Sequence, residues 1–169
     1  MKNIYLISPK KIKRNFYRDL DEVLSLNKVK YFQLRLKNLS DKKIINVSKK
    51  IIKITSKHNV KFIINDKYKL VKEIGADGCH VGQKDGPLKE IKKFLGKKIF
   101  GITCHNSLVL AKKAIKFKPT YLAFGSFNKS NLKPKAIRAD FKLIPNVKKK
   151  IKIPIVAIGG INNNNYKTL

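Results

Sequence analysis

Seven short apolar segments, separated by stretches with helical spacing, constrain this chain more than any other feature. They fall at 4–7, 31–36, 61–65, 78–82, 99–104, 121–126 and 153–159, and each is rich in β-branched or aromatic residues, as buried parallel strands are. The segments between them carry stripes at helical intervals. Phe16, Leu20, Val23 and Leu24 form one; Ile44, Val47, Ile51, Ile52 and Thr55 form another. Leu88, Ile91 and Leu95 form a third, opened by Pro87 and closed by Gly96, and Leu108, Ala111 and Ile115 a fourth. Strands alternating with helices predict a parallel sheet covered by helices. No G-x-G-x-x-G follows a strand, which weakens an open dinucleotide-binding sheet and favours a (β/α)8 TIM barrel. Such barrels usually need at least ~200 residues. The expectation for 1–169 is therefore a single barrel domain, C-terminally incomplete and lacking the eighth βα unit.

In a barrel of this kind the C-terminal strand ends share one mouth, so polar residues there point to chemistry. Gln33, Arg35 and Lys37 alternate along the second segment, on the face opposite Leu34 and Leu36. Two of the three are cationic, so the expected guest is an anion. The later segments end in Asn65-Asp66, Gly82-Gln83-Lys84-Asp85, Gly101-Ile102-Thr103-Cys104-His105, Gly125-Ser126 and Gly159-Gly160. Asp66 reads either as a cap for the next helix or as a metal ligand. Asp85, before Gly86-Pro87, reads as a turn residue or as a second carboxylate for a hard cation such as Mg²⁺, which pairs one or two carboxylates with substrate phosphates. Gly159-Gly160 reads as a plain turn or as backbone N–H groups receiving phosphate. His105 reads as the start of a helix, and His58 and mid-strand His80 as structural. A Cys104–His105 nucleophile pair is disfavoured, since adjacent strand residues face oppositely.

Charge is large but unspecific. The chain holds 40 basic and 10 acidic residues, a formal net charge of +30, and only Arg14, Arg18, Arg35 and Arg138 are arginine. The joint abundance of lysine, isoleucine and asparagine suggests drift toward adenine-rich codons. Polyanions are attracted non-specifically by such a charge, but no aromatic-basic interleaving marks a specific nucleic-acid binder. No apolar run approaches the ~18 residues of a membrane span. Cys79 and Cys104 form neither a disulfide framework nor metal-ligand spacing, so a cytoplasmic setting is the default.

Gln33-x-Arg35-x-Lys37, Asn65-Asp66, Gly75-Ala76-Asp77-Gly78-x-His80-x-Gly82-Gln83-x-Asp85, Gly101-x-Thr103-x-His105 and Ala157-Ile158-Gly159-Gly160-Ile161 occur in order. This set resembles the thiamine phosphate synthases, (β/α)8 enzymes that join a hydroxymethylpyrimidine diphosphate to a thiazole phosphate and release pyrophosphate with Mg²⁺. The resemblance implies that Gln33 lies near the pyrimidine, and that Arg35, Lys37 and Asn65 hold the diphosphate. It implies Asp66 and Asp85 as metal ligands. Thr103 stands where the family usually has serine, and with Arg35 and Lys37 it makes the expected catalytic set. Ser130 and Lys133 match the family's Thr-x-Thr-Lys loop, in which Leu132 replaces the second threonine and removes a hydrogen-bond donor. Gly160 would offer its N–H to the thiazole phosphate. A homo-oligomer is compatible with this reading.

The rivals are a thiazole tautomerase of the same superfamily, which uses a histidine near His105, and an inactive phosphate-binding relic. Gly82-Gln83-x-Asp85 favours the synthase, because a tautomerase needs no diphosphate-bound metal.

Overall fold

Alternation along 29–34 sets the local structure: Phe32 and Leu34 face one way, Tyr31 and Gln33 the other. In the computed structural model residues 3–128 and 138–168 are described. Their strands are β1 (Ile4–Ile7), β2 (Val29–Leu34), β3 (Lys61–Asn65), β4 (Gly78–Val81), β5 (Ile99–His105), β6 (Tyr121–Phe124) and β7 (Ile155–Ala157). They follow one another in sheet order as they do in the chain. The helices are α1 (Phe16–Ser25), α2 (Asp41–Lys57), α3 (Leu70–Ile74), α4 (Leu88–Leu95), α5 (Leu108–Ala114) and α6 (Leu143–Lys150). Parallel strands in chain order with helices between them are the topology of a (β/α) barrel. No helix among the described residues is long and apolar enough to cross a membrane.

The chain groups into two compact units, Met1–Val81 with Lys93–Ile99, and Gly82–Lys92 with Phe100–Leu169. In the first, β1 to β4 pair in parallel, with Ile7, Gln33, Ile63 and Gly78 in one register row. The neighbouring row, Leu6, Phe32 and Phe62, is apolar, and the two phenylalanine rings stack 6.3 Å apart. Leu34 and Ile64 share that side with Ile44 of α2 around a cavity of about 210 Å³. Asp21 joins α1 to the end of α2, accepting from Lys57 at 3.0 Å and pairing with His58 at 2.6 Å. His58 thus ties two helices together, in keeping with the structural reading of it.

In the second unit β5, β6 and β7 pair in parallel through Thr103–Ala123 and Ala123–Val156. Gly101 is required there: a Cβ on it would lie 2.1 Å from the Tyr121 ring. Helices α3 and α6 carry no stripe legible in the sequence. The first has five residues, too few to show a period, and the second carries Pro145 near its start, where proline is tolerated.

Candidate active site

Residues in register on parallel strands project to the same face, and this brings polar groups together in the first unit. Gln33 on β2 and Asn65 on β3 lie one row apart on that face, and Gln33 Nε2 donates to Asn65 Oδ1 at 2.6 Å. Gln33 is only 3% exposed, so the bond satisfies a side chain that burial would otherwise penalise. His80 is in register with Asn65, hence on the same face, and is 7% exposed. The sequence reads His80 as structural because it lies mid-strand, and the register adds that it shares a face with Asn65.

Arg35 and Lys37 are not on the strand. β2 stops at Leu34, and Lys37 sits in a turn. The ladder is carried one step further by Ser8, whose N–H donates to Gln33 O at 2.9 Å and whose Oγ accepts Arg35 N–H at 2.9 Å. The Arg35 guanidinium has no hydrogen-bond or ion-pair partner among the described residues. Lys37 Nζ pairs with Asp66 Oδ2 at 3.0 Å. Asp66 has φ +63°, left-handed backbone that few non-glycine residues adopt, and its N–H donates to His80 O at 2.8 Å. It does not cap the next helix: α3 begins at Leu70 behind Lys69, with no side-chain cap. Its carboxylate instead meets Lys37.

In the second unit Asp85 Oδ2 accepts Gly82 N–H at 2.6 Å, closing the turn after β4. Gln83 Nε2 donates to Thr103 O at 2.6 Å, and Thr103 is buried on β5. Pairing of β5 with β6 skips Cys104, so that Thr103 meets Ala123 and His105 meets Phe124. Bulges of this kind re-aim side chains and favour active-site edges. His105 does not start a helix. It ends β5 with φ +51°, and α5 begins at Leu108 behind Ser107, whose side chain accepts from Leu110 N at 3.2 Å. Cys104 is fully buried, and desolvation pushes its thiol up to about 12. A thiol held neutral this firmly is no nucleophile.

Gly159 and Gly160 both have positive φ, +97° and +61°, and a Cβ on Gly159 would lie 2.0 Å from Ser126 Oγ. The turn after β7 is thus built for glycine. Ser130 and Lys133 lie outside the described residues. Among the described residues no group of three or more His, Cys, Asp or Glu side chains is placed to hold one metal ion. Ser8 escaped sequence reasoning. Its signal was a hydroxyl at a strand end just before proline, where the chain must leave the ladder.

A family model described as thiamine monophosphate synthase matches residues 4–169. A thiamine-phosphate synthase of Pelagibacter ubique is 52% identical over 169 residues, covering 99% of this chain and 82% of that one. One of Clostridium tetani is 37% identical over 170 residues, covering 98% and 80%. Among solved structures, a thiamine phosphate pyrophosphorylase from Pyrococcus furiosus superposes with TM-score 0.86 at 26% identity, covering 98% of this chain and 79% of that one. A thiamine phosphate pyrophosphorylase from Bacteroides thetaiotaomicron, at 13% identity and TM-score 0.68 over 97% of this chain and 75% of its own, shares the fold.

Proposed function

This chain belongs to the thiamine monophosphate synthase family, and on that premise we propose how its residues perform the family's condensation. The substrates are the 4-amino-2-methyl-5-hydroxymethylpyrimidine diphosphate and hydroxyethylthiazole phosphate; the products are thiamine phosphate and pyrophosphate. The reading rests chiefly on the cluster at the ends of β2 and β3: Gln33 bonded to Asn65, an Arg35 guanidinium with no partner among the described residues, and Lys37 against Asp66.

Gln33 and Asn65 present an amide edge suited to an aminopyrimidine ring. Arg35 and Lys37 take the diphosphate, Arg35 through its planar fork and Lys37 as a point charge. As the methylene C–O bond breaks, the bonding pair leaves with pyrophosphate, and these cations stabilise the charge that accumulates on it. The electron-rich ring supports the cation left at the methylene until the thiazole nitrogen donates its lone pair to form the new C–N bond. No protein nucleophile is needed; the protein's share is holding the two partners together.

Asp66 and Asp85 are the proposed Mg²⁺ ligands. Each offers a hard carboxylate oxygen of the kind Mg²⁺ takes alongside diphosphate oxygens. Mg²⁺, when bound, neutralises leaving-group charge. Lys37 then exchanges Asp66 for the diphosphate. The roles of Thr103, Ser130, Lys133 and Gly160 rest on the family resemblance: hydroxyls and Lys133 toward the substrates, and the Gly160 N–H toward the thiazole phosphate.

The test is pyrophosphate release by the purified chain. Release that requires both Mg²⁺ and the thiazole phosphate is expected. Folded protein that releases none contradicts the reading, as does release indifferent to the thiazole phosphate.

A further inference from the structure

Ser8 is 2% exposed and sits where β1 must stop, because Pro9 has no N–H and holds the residue before it in extended backbone. In a regular parallel ladder Arg35 N–H would donate to the Ser8 main-chain carbonyl. It donates instead to Ser8 Oγ at 2.9 Å, while Ser8 N–H holds Gln33 O at 2.9 Å. The hydroxyl in turn donates to Pro9 O at 3.3 Å. One residue thus grips both ends of Gln33-Leu34-Arg35 at the point where β2 has ended. Beyond it the main chain is irregular, so this hydroxyl fixes where the Arg35 Cα stands and from where its guanidinium reaches.

We propose that Ser8 is a positioning residue for the diphosphate subsite, acting through Arg35. The inference rests on the synthase reading for its substrate but not for its geometry. A side-chain acceptor does here what main chain cannot: it satisfies the part-buried Arg35 N–H while letting the loop after β1 diverge. Alanine leaves that N–H unpaired and frees Arg35 from its register; threonine keeps the acceptor.

The experiment uses the full chain with Ser8→Ala, Ser8→Thr, Arg35→Ala and the double variant Ser8→Ala/Arg35→Ala. Three quantities are read: the Kd for magnesium pyrophosphate by calorimetry, the KM for each substrate, and Tm. Ser8→Ala is expected to weaken pyrophosphate binding about tenfold, the scale of one hydrogen bond, and to raise the KM for the pyrimidine diphosphate alike. The KM for the thiazole phosphate stays unchanged, and Ser8→Thr restores both values. In the Arg35→Ala background Ser8→Ala adds less than about twofold, because coupled residues are not additive. A Ser8→Ala variant with lowered Tm and unchanged pyrophosphate affinity overturns the proposal, and so does a full tenfold loss in the Arg35→Ala background. Should Ser8→Ala not fold, Ser8→Cys against Ser8→Thr gives the same contrast, since sulfur is a weak acceptor. Wild-type protein that binds pyrophosphate without turnover refutes the synthase reading and leaves the Ser8 result standing.

Discussion

Asp66 and Cys104 illustrate how far a single residue's environment decides its chemistry. Asp66 follows a strand and precedes a helix, the usual address of a cap, yet its left-handed backbone turns the carboxylate to Lys37. Cys104 neighbours a histidine in sequence, yet it is walled off and neutral. Its folded pKa of about 12 lies above the ordinary 9.0, so the unfolded chain ionises first as pH rises. The stabilisation from burying the neutral thiol is whole below pH 9.0 and disappears between there and about 12. Urea midpoints measured from pH 8 upward should therefore fall less steeply in Cys104→Ala than in wild type; identical slopes would show that the thiol is not buried. Gln33, Arg35, Lys37 and Asn65 stand out in the sequence as polar residues beside apolar runs, and the structure joins Gln33 to Asn65 and Lys37 to Asp66. The place of Ser8 was not legible there, since it depends on register, which no single segment states.

Among the elements, the strands were legible to within a few residues, because apolar β-branched runs are a strong signal. Their ends were not. β2 was expected to reach 36 and ends at Leu34, since its continuation bonds to a side chain instead of a neighbouring strand. The bulge in β5 left no trace in composition either. Helix α2 carries a defect of another kind: Ser48 is fully buried and its Oγ has no hydrogen-bond partner among the described residues. An unsatisfied buried hydroxyl costs about 1–3 kcal/mol, and alanine is the better helix former. Ser48→Ala should raise the thermal midpoint by about 2–4 °C per kcal/mol recovered. A lower midpoint would mean that the hydroxyl has a partner.

For the whole molecule, the net charge of +30 acts at long range. A multiply charged phosphate is drawn in by such a field, and screening shortens its reach from about 30 Å at 0.01 M salt to about 8 Å at 0.15 M. The kcat/KM for the pyrimidine diphosphate should accordingly fall severalfold over that range, with kcat nearly constant. A flat profile would confine the charge to solubility. Binding of nucleic acid, if measured, should weaken as steeply.

In the proposed reaction the cations after β2 work on the departing diphosphate, and Arg35 is the cleanest probe of them, since removing it breaks no ion pair among the described residues. The measurement is thiamine phosphate formation by wild type and Arg35→Ala with both substrates varied. Arg35→Ala should lose about 100-fold in kcat/KM for the pyrimidine diphosphate, equivalent to about 2.7 kcal/mol of transition-state stabilisation, with the KM for the thiazole phosphate unaltered. An Arg35→Ala enzyme as fast as wild type, or one impaired equally toward both substrates, would contradict that role.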